Sequence, residues 1–447
     1  MYDRLSERRA QIRRSTRRNT LRFLVPMLVL GLPALCFCSF IAYQVPAVNE
    51  RLSWRVDSLK ADVKYALNPP AEQVFVPGER PDGRAPITPF ALPTATNQPS
   101  PTPQPGPTET PSPTPTITPI PTALPGEAKL TGVPHYYQTW NNCGPANLAM
   151  ALSFWDWKGD QRDTAAFLKP NPRDKNVMPY EMAAYVEQQT DLRVVSRVNG
   201  DLETLKAFLS AGFPVIVEKG FEGPDFDGWM GHYLTLTGYE DERRIFRAQD
   251  SYKGPDQVIG YDELVANWRA FNFTYLVPYP ALWEPQVQAI LGPNRDLQTT
   301  YKQGAQRALE ETKTLSGRDL FFAWYNRGSN LVALHDYANA ATAYDAAFAN
   351  YAAISTPERP WRMVWYSTGP YFAYFYSQRY QDVINLATAT LEAASEPVLE
   401  ESYYWRARAR GALGDVEGAI EDYQKSLEAH PEFTPSLDEL RALGVEP

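Results

Sequence analysis

The apolar positions of this chain change their spacing several times, and each change marks a boundary. From Phe23 to Tyr43 no residue is charged, and Leu, Val, Phe and Ala dominate. A run of about 20 apolar residues crosses a bilayer, so residues 23–44 are expected to form a transmembrane anchor behind a tail of residues 1–22. Residues 45–85 then read as a juxtamembrane helix and connector. There Leu52, Val56, Leu59, Val63 and Leu67 are spaced by steps of four or three. This narrow seam on a charged helix suits three uses: pairing with a second copy, lying on the folded domain, or lying on the bilayer. Periodicity then stops. Residues 86–126 are mostly Pro and Thr. They build no core and read as an extended polyproline II spacer that holds the following domains away from the bilayer.

Globular patterning returns over residues 127–282. Residues 132–138 read as an extended entry. Leu148, Ala151, Leu152 and Trp155 share one face of a helix that starts at Cys143. Residues 179–189 read as a second helix and 192–197 as a strand. Asp201 caps a helix over 202–211, Gly212 ends it, and 214–218 is a strand. This is an α+β pattern. Residues 232–239 and 243–250 then read as strands around Glu240, Asp241 and Glu242. Closing that loop as a hairpin sets Leu234 opposite Ala248 and His232 opposite Asp250. One face carries Leu234, Leu236, Phe246 and Ala248. The other carries Tyr233, Thr235, Thr237, Arg247 and Gln249. A slip of one residue would destroy that sorting. Residues 221–229, rich in Gly and acids, read as a lid or substrate rim, and Gly231 as open space beside the histidine. Trp140 and Trp229 suit either the cleft wall or packing, and His135 suits packing or the surface.

Residues 283–447 carry a third pattern. Trp324, Gly328, Leu331, Tyr337, Ala340, Tyr344 and Ala347 follow the small/large spacing of a helix–turn–helix. Tyr403, Ala407, Ala419, Tyr423 and Pro431 repeat it, and Tyr380, Val383, Ala387 and Thr390 fit it loosely. Residues 297–315 read as a leading helix and 353–361 as an insertion. The pattern resembles tetratricopeptide repeats, whose period is about 34 residues. That resemblance implies an all-α array with a concave face and a protein partner. Phe372, Tyr374, Phe375, Tyr376 and Tyr380 suit the inter-helix core, or a groove for a peptide or glycan.

Charge sharpens the topology. The formal net charge is −9, yet the first 22 residues carry eight arginines against Asp3 and Glu7. The positive-inside rule keeps that tail in the cytoplasm and places the rest outside, as a single-pass membrane protein. An acidic body argues against nucleic acid as a partner. No Cys/His cluster has zinc spacing and no glycine-rich phosphate loop is present, so neither a metal nor a cofactor is expected.

Of the three cysteines, Cys36 and Cys38 fall in the apolar run, leaving Cys143 alone outside it. A cysteine at a helix start feels the positive end of the helix dipole, which favours the thiolate. Gly144 leaves room beside it, and Pro145 suits the first turn. The His232–Asp250 pairing is the arrangement in which a carboxylate orients an imidazole and stabilises its charged form.

Gln138, Asn142-Cys143-Gly144-Pro145-Ala146, Gly231-His232-Tyr233 with Gly238, and Asp250 together resemble the papain-like cysteine peptidases of the double-glycine, bacteriocin-processing type. The resemblance spans residues 131–279. It implies a papain-like fold with Cys143 as nucleophile, His232 as general base and acid, and Asp250 as orienter. Gln138 would share the oxyanion hole with the Cys143 N–H. Asn142 stands where relatives often carry Asp, and helical sequence follows where leader-cleaving exporters carry membrane and nucleotide-binding domains. Leader specificity is therefore not expected to carry over. The expected function is a membrane-anchored, extracytoplasmic cysteine peptidase acting on a secreted peptide or a cell-wall crosslink, with helical repeats for recruitment. A catalytically silent peptide-binding module and a thioester-forming acyl transferase are the alternatives.

Overall fold

The computed structural model describes residues 46–78, 124–222 and 228–446. It divides into two compact units, Met1–Leu67 and Asn68–Pro447. The basic tail, the apolar run and the Pro/Thr stretch lie outside the described residues. Among the described residues, no helix is long and apolar enough to cross a membrane. In the first unit, α1 (Pro46–Leu67) carries the apolar seam, and its Val56, Leu59, Val63 and Leu67 are exposed.

The second unit begins with a short 3-10 turn, Pro70–Glu72. After β1 (Glu127–Lys129) come α2 (Cys143–Ser153), α3 (Gln161–Leu168) and α4 (Pro179–Gln189). Then follow β2 (Leu192–Arg197), α5 (Leu202–Ser210), β3 (Val215–Phe221), β4 (Met230–Glu240), β5 (Ile245–Asp250) and β6 (Gly254–Gly260). α6 (Tyr261–Trp268) and β7 (Tyr275–Pro280) complete the sheet, ordered β2-β7-β3-β4-β5-β6 with β1 also on β4. Its described pairings are all antiparallel. One face packs on α2 and α4 through Leu148, Met182, Ile216 and Tyr233. The other packs on α5 and α6 through Phe208, Leu234, Leu236 and Trp268. Both faces are thus buried, so the expected polar face of β4 is covered as well.

The hairpin register differs from the sequence reading. Leu236, not Leu234, stands opposite Ala248, and the pairing shifts again between Leu236 and Gly238. The turn between Glu240 and Ile245 takes four residues, one more than the loop read from the sequence. A Cβ on Gly238 would sit 2.4 Å from the Ala128 carbonyl oxygen, so β1 crosses there against bare backbone. The slip at Leu236 is by two residues, which keeps each side chain on its face. His232 and Asp250 therefore become diagonal rather than direct neighbours, still within side-chain reach.

The helical region follows as α7 (Glu284–Leu291), α8 (Leu297–Glu311), α9 (Gly317–Ala333) and α10 (Tyr337–Ala353). The short α11 (Met363–Tyr366) follows just after the expected insertion of residues 353–361. After it come α12 (Gly369–Tyr376), α13 (Tyr380–Ala393), α14 (Glu400–Ala412), α15 (Val416–Ala429) and α16 (Thr434–Ala442). Helices α9/α10, α12/α13 and α14/α15 pack as consecutive pairs. Small residues set the spacing: a Cβ on Gly328 would meet the Tyr344 ring at 2.7 Å. One aromatic core runs through these pairs and takes in Trp229 and Phe271 from the sheet domain.

Candidate active site

Cys143 opens α2. Asn141 before it is left-handed, with φ 52°, and the chain turns abruptly into the helix. Residues 144–152 of α2 are buried without exception. The helix start is pressed against its neighbours, since a Cβ on Gly144 would lie 3.2 Å from Val177 Cβ and 3.6 Å from the Tyr233 ring.

His232 lies on β4 and is 4 % exposed. Its Nε2–H donates to Asp250 Oδ1 at 2.9 Å, which leaves Nδ1 for the Cys143 thiol, with which the imidazole shares a hydrogen bond. Asp250 Oδ1 also receives the Tyr252 N–H at 2.9 Å and the Lys253 N–H at 3.0 Å. His135 Nε2 meets the Asp250 carbonyl at 2.9 Å, so this histidine braces the carboxylate's backbone.

The charges follow from these contacts. Burial pushes the Cys143 thiol up. The His232 hydrogen bond and charge, the Tyr233 N–H and Lys169 together outweigh it, so the thiol sits below its ordinary value. Burial pushes His232 down, but Asp250 and Cys143 raise it further. Burial also raises Asp250, yet His232 and the two N–H groups hold it well below the usual carboxylate range. The set favours a thiolate beside an imidazolium.

Gln138 is held from two sides. Its N–H donates to the Ser251 carbonyl at 2.9 Å, and Ser251 Oγ–H donates to its Oε1 at 2.8 Å. Ser251 Oγ in turn receives Asn147 Nδ2 at 3.0 Å. Its one proton therefore goes to Gln138, which fixes the amide with its oxygen turned to Ser251. Asn147, fully buried one turn after Cys143, also donates to the Tyr233 carbonyl and accepts from Thr235 Oγ1. It ties the cysteine helix to the histidine strand. Sequence reading missed both Asn147 and Ser251. The legible signal was an amide four residues after the cysteine on an otherwise apolar helix.

Asn141 and Asn142 are spent on structure. Asn141 Nδ2 donates to the Asp174 carbonyl at 2.6 Å, and Asn142 Nδ2 to Gln161 Oε1 at 2.8 Å. Gln161, whose helix α3 the sequence reading did not foresee, also bonds the Tyr137 carbonyl and the Thr139 N–H. Lys169 Nζ caps the Asn141 carbonyl at 2.7 Å, and burial lowers its pKa to about 8. Trp140 is 39 % exposed, with Lys169 and Lys175 over its ring. Glu218, missed as well, is buried opposite Tyr233. Tyr233 gives its proton to the Val177 carbonyl, and burial raises the Glu218 carboxyl well above its ordinary value.

The expected open space beside Gly231 is filled. A Cβ there would meet Phe271 at 2.7 Å and Tyr366 at 3.1 Å. Trp229 is 2 % exposed and stacks on Phe271, with Phe322 and Tyr366 around it. It is a plug between the sheet domain and the helical region, not a cleft wall. Arg362 Nη1 donates to the Trp229 carbonyl at 3.0 Å, and the Tyr366 phenol receives the Gly231 N–H. Asp174, Glu400 and His430 place possible metal-ligand atoms within 4.8 Å of one another at a second contact. His430 is already paired with Glu400 at 3.3 Å, and Asp174 caps the Asn176 N–H.

Residues 130–276 match the family model described as Peptidase_C39 like family. This C39-like domain is the sheet domain described above, and a largely helical region follows it. Among solved structures, a double glycine motif protease from an AMS/PCAT transporter, in complex with the leader peptide, is 20 % identical. It covers 34 % of this chain and 99 % of its own, with a TM-score of 0.27. Xylellain, a cysteine protease from Xylella fastidiosa, is 16 % identical, covering 36 % and 88 %, with a TM-score of 0.28. Aryl-hydrocarbon-interacting protein-like 1 of Rattus norvegicus and of Mus musculus are each 24 % identical over 176 residues, 37 % of this chain. The chain spans about half the length of these curated relatives.

Proposed function

We propose that this chain is a cysteine peptidase that cleaves peptide bonds by a Cys-His-Asp mechanism. The observation that carries the reading is the continuous bond from Asp250 through His232 to Cys143 at the start of a buried helix. Cys143 thiolate attacks the amide carbonyl. The carbonyl oxygen is met by the Cys143 N–H and the Gln138 amide nitrogen, the end of that side chain turned away from Ser251. His232 passes its Nδ1 proton to the leaving amine, and Asp250 holds the ring in register. Water, deprotonated by His232, then hydrolyses the thioester. The substrate is a secreted peptide or a cell-wall peptide. The chain is anchored by residues 23–44 with its catalytic and helical parts outside the cytoplasm. The helix pairs are a tetratricopeptide-like array that engages a protein partner.

The direct test is labelling by a thiol-reactive peptide probe. Cys143 should react faster than a free thiol near neutral pH, and His232→Ala should slow turnover by ~10²–10⁴. Equal labelling in the two proteins would sink the reading. Gln138→Ala should cost ~10²–10³ in kcat. Activity should follow a bell in pH. The acid limb lies below the thiol's ordinary 9.0 and the alkaline limb above the imidazole's ordinary 6.5. Labelling of Cys143 on intact cells by a membrane-impermeant reagent checks the topology.

A further inference from the structure

The stretch after α1 does not lead straight into the spacer. Its 3-10 turn and the residues to Gly78 lie in a groove of the helical region. Pro70 is buried, and Arg359 Nη1 donates to the Ala71 carbonyl at 2.8 Å. Phe75 meets Phe348 edge-on at 4.9 Å and Tyr374 at 6.1 Å. The Gly78 N–H donates to Asp382 Oδ1 at 2.7 Å. Asp382 is 6 % exposed, and Arg379 holds its other oxygen at 2.7 Å while pairing with Asp345. A buried carboxylate is thus held in place to receive one backbone N–H of an extended chain. Beside Phe75 a small cavity of about 60 Å³ remains, lined by residues such as Phe321, Tyr351, Trp361, Leu386 and Ala393.

These are the features of a peptide site: an aromatic anchor, apolar walls, and polar clamps on backbone at both ends. We infer that this groove is a peptide-binding site and that residues 69–78 are its tethered resident ligand. The ligand class is an extended apolar peptide with an aromatic anchor and a free N–H three residues beyond it.

The inference deepens the partner role proposed for the helical region and is independent of the peptidase reading. The test uses the full chain and a labelled synthetic peptide of residues 69–80. The wild-type groove is occupied in cis and should bind the peptide at least 10-fold more weakly than a Phe75→Ala/Gly78→Pro chain. Gly78→Pro removes the N–H that Asp382 receives. Adding Asp382→Ala to that chain should weaken binding about 10-fold, as should Phe75→Ala in the peptide. A far-UV circular dichroism spectrum and melting temperature matching the wild type confirm that the variant is folded. Equal peptide binding by wild type and the released chain would overturn the inference. So would binding that ignores the aromatic anchor, since a mere structural brace predicts no selective rebinding in trans. Loss of probe labelling with peptide binding intact would instead count against the peptidase reading alone.

Discussion

Two of the contacts by which the helical region grips the C39-like domain are built from opposite chemistry. Beside the histidine strand the contact is aromatic. Trp229, Phe271, Phe322 and Tyr366 close over Gly231, one residue from His232. Beside the cysteine loop it is acidic. Asp174, Glu181, Glu400 and Glu401 gather with His430 and Tyr180, and the Asp174 carbonyl holds Asn141, two residues from Cys143. The first contact carries no group that titrates near neutrality, so it fixes position at any ordinary pH. The second places like charges in a buried site, so its strength depends on protons.

The largest effect should come from the aromatic side. Trp229→Ala removes a fully packed ring from a shared core and should cost ~3–5 kcal/mol in chemical denaturation. Activity should fall with it, because the Gly231 backbone loses the rings that position it. A loss under ~1 kcal/mol would show that the two regions do not depend on this plug.

How much of this was legible in the sequence depends on how far apart the partners lie. The helix Pro179–Gln189 and the strand Leu192–Arg197 were readable to the residue, since a proline at N1 and a β-rich run are local signals. The Asp201 cap was readable for the same reason. The meeting of His232 with Asp250 was readable because face parity survives a slip of two. The true register was not, because the turn takes four residues between Glu240 and Ile245 rather than three, and a bulge between Leu236 and Gly238 shifts the pairing again. Sequence left Trp229 open between cleft wall and packing because its partners Phe322 and Tyr366 lie in another region of the chain. Asn147 was passed over because one amide in an apolar helix looks like a solvent-facing break, and only the fold shows it bridging α2, β4 and Ser251.

The acidic contact should give the next largest effect, and only above acid pH. Burial, then the charge of Glu400, raises Glu181 to about 7 from an ordinary 4.5. The unfolded chain releases this proton first as pH rises. Stability is therefore full below about 4.5 and declines until the folded group ionises near 7. Asp174 and Glu401 are raised by the same causes. His430 is raised by Glu400 against its own burial, so its bond also fades as pH climbs. Lys169 offsets part of the charge at Asp174. All these signs agree. Denaturation midpoints should fall from pH 5 to 7 in the wild type. Glu181→Gln should recover on the order of 1–2 kcal/mol at pH 7 after allowance for solvent screening. A flat pH profile in the wild type would remove the contrast between the two contacts.

The smallest effect should come from one oxygen. Tyr366→Phe keeps the ring over Gly231 and removes only the acceptor of the Gly231 N–H. Leaving that N–H unpaired should cost ~1 kcal/mol of stability. The informative readout is the split between kcat and KM. If the helical region positions His232 through Gly231, kcat should fall several-fold while KM and the melting temperature barely change. If Tyr366 instead touches substrate, KM should rise with kcat held. If neither moves, the aromatic contact is packing alone, and Gly231→Ala should then reduce stability without changing the pH dependence of turnover. A Cβ there must displace Phe271, at ~1–3 kcal/mol, and only a positioning contact would carry that displacement into the ionisation of His232.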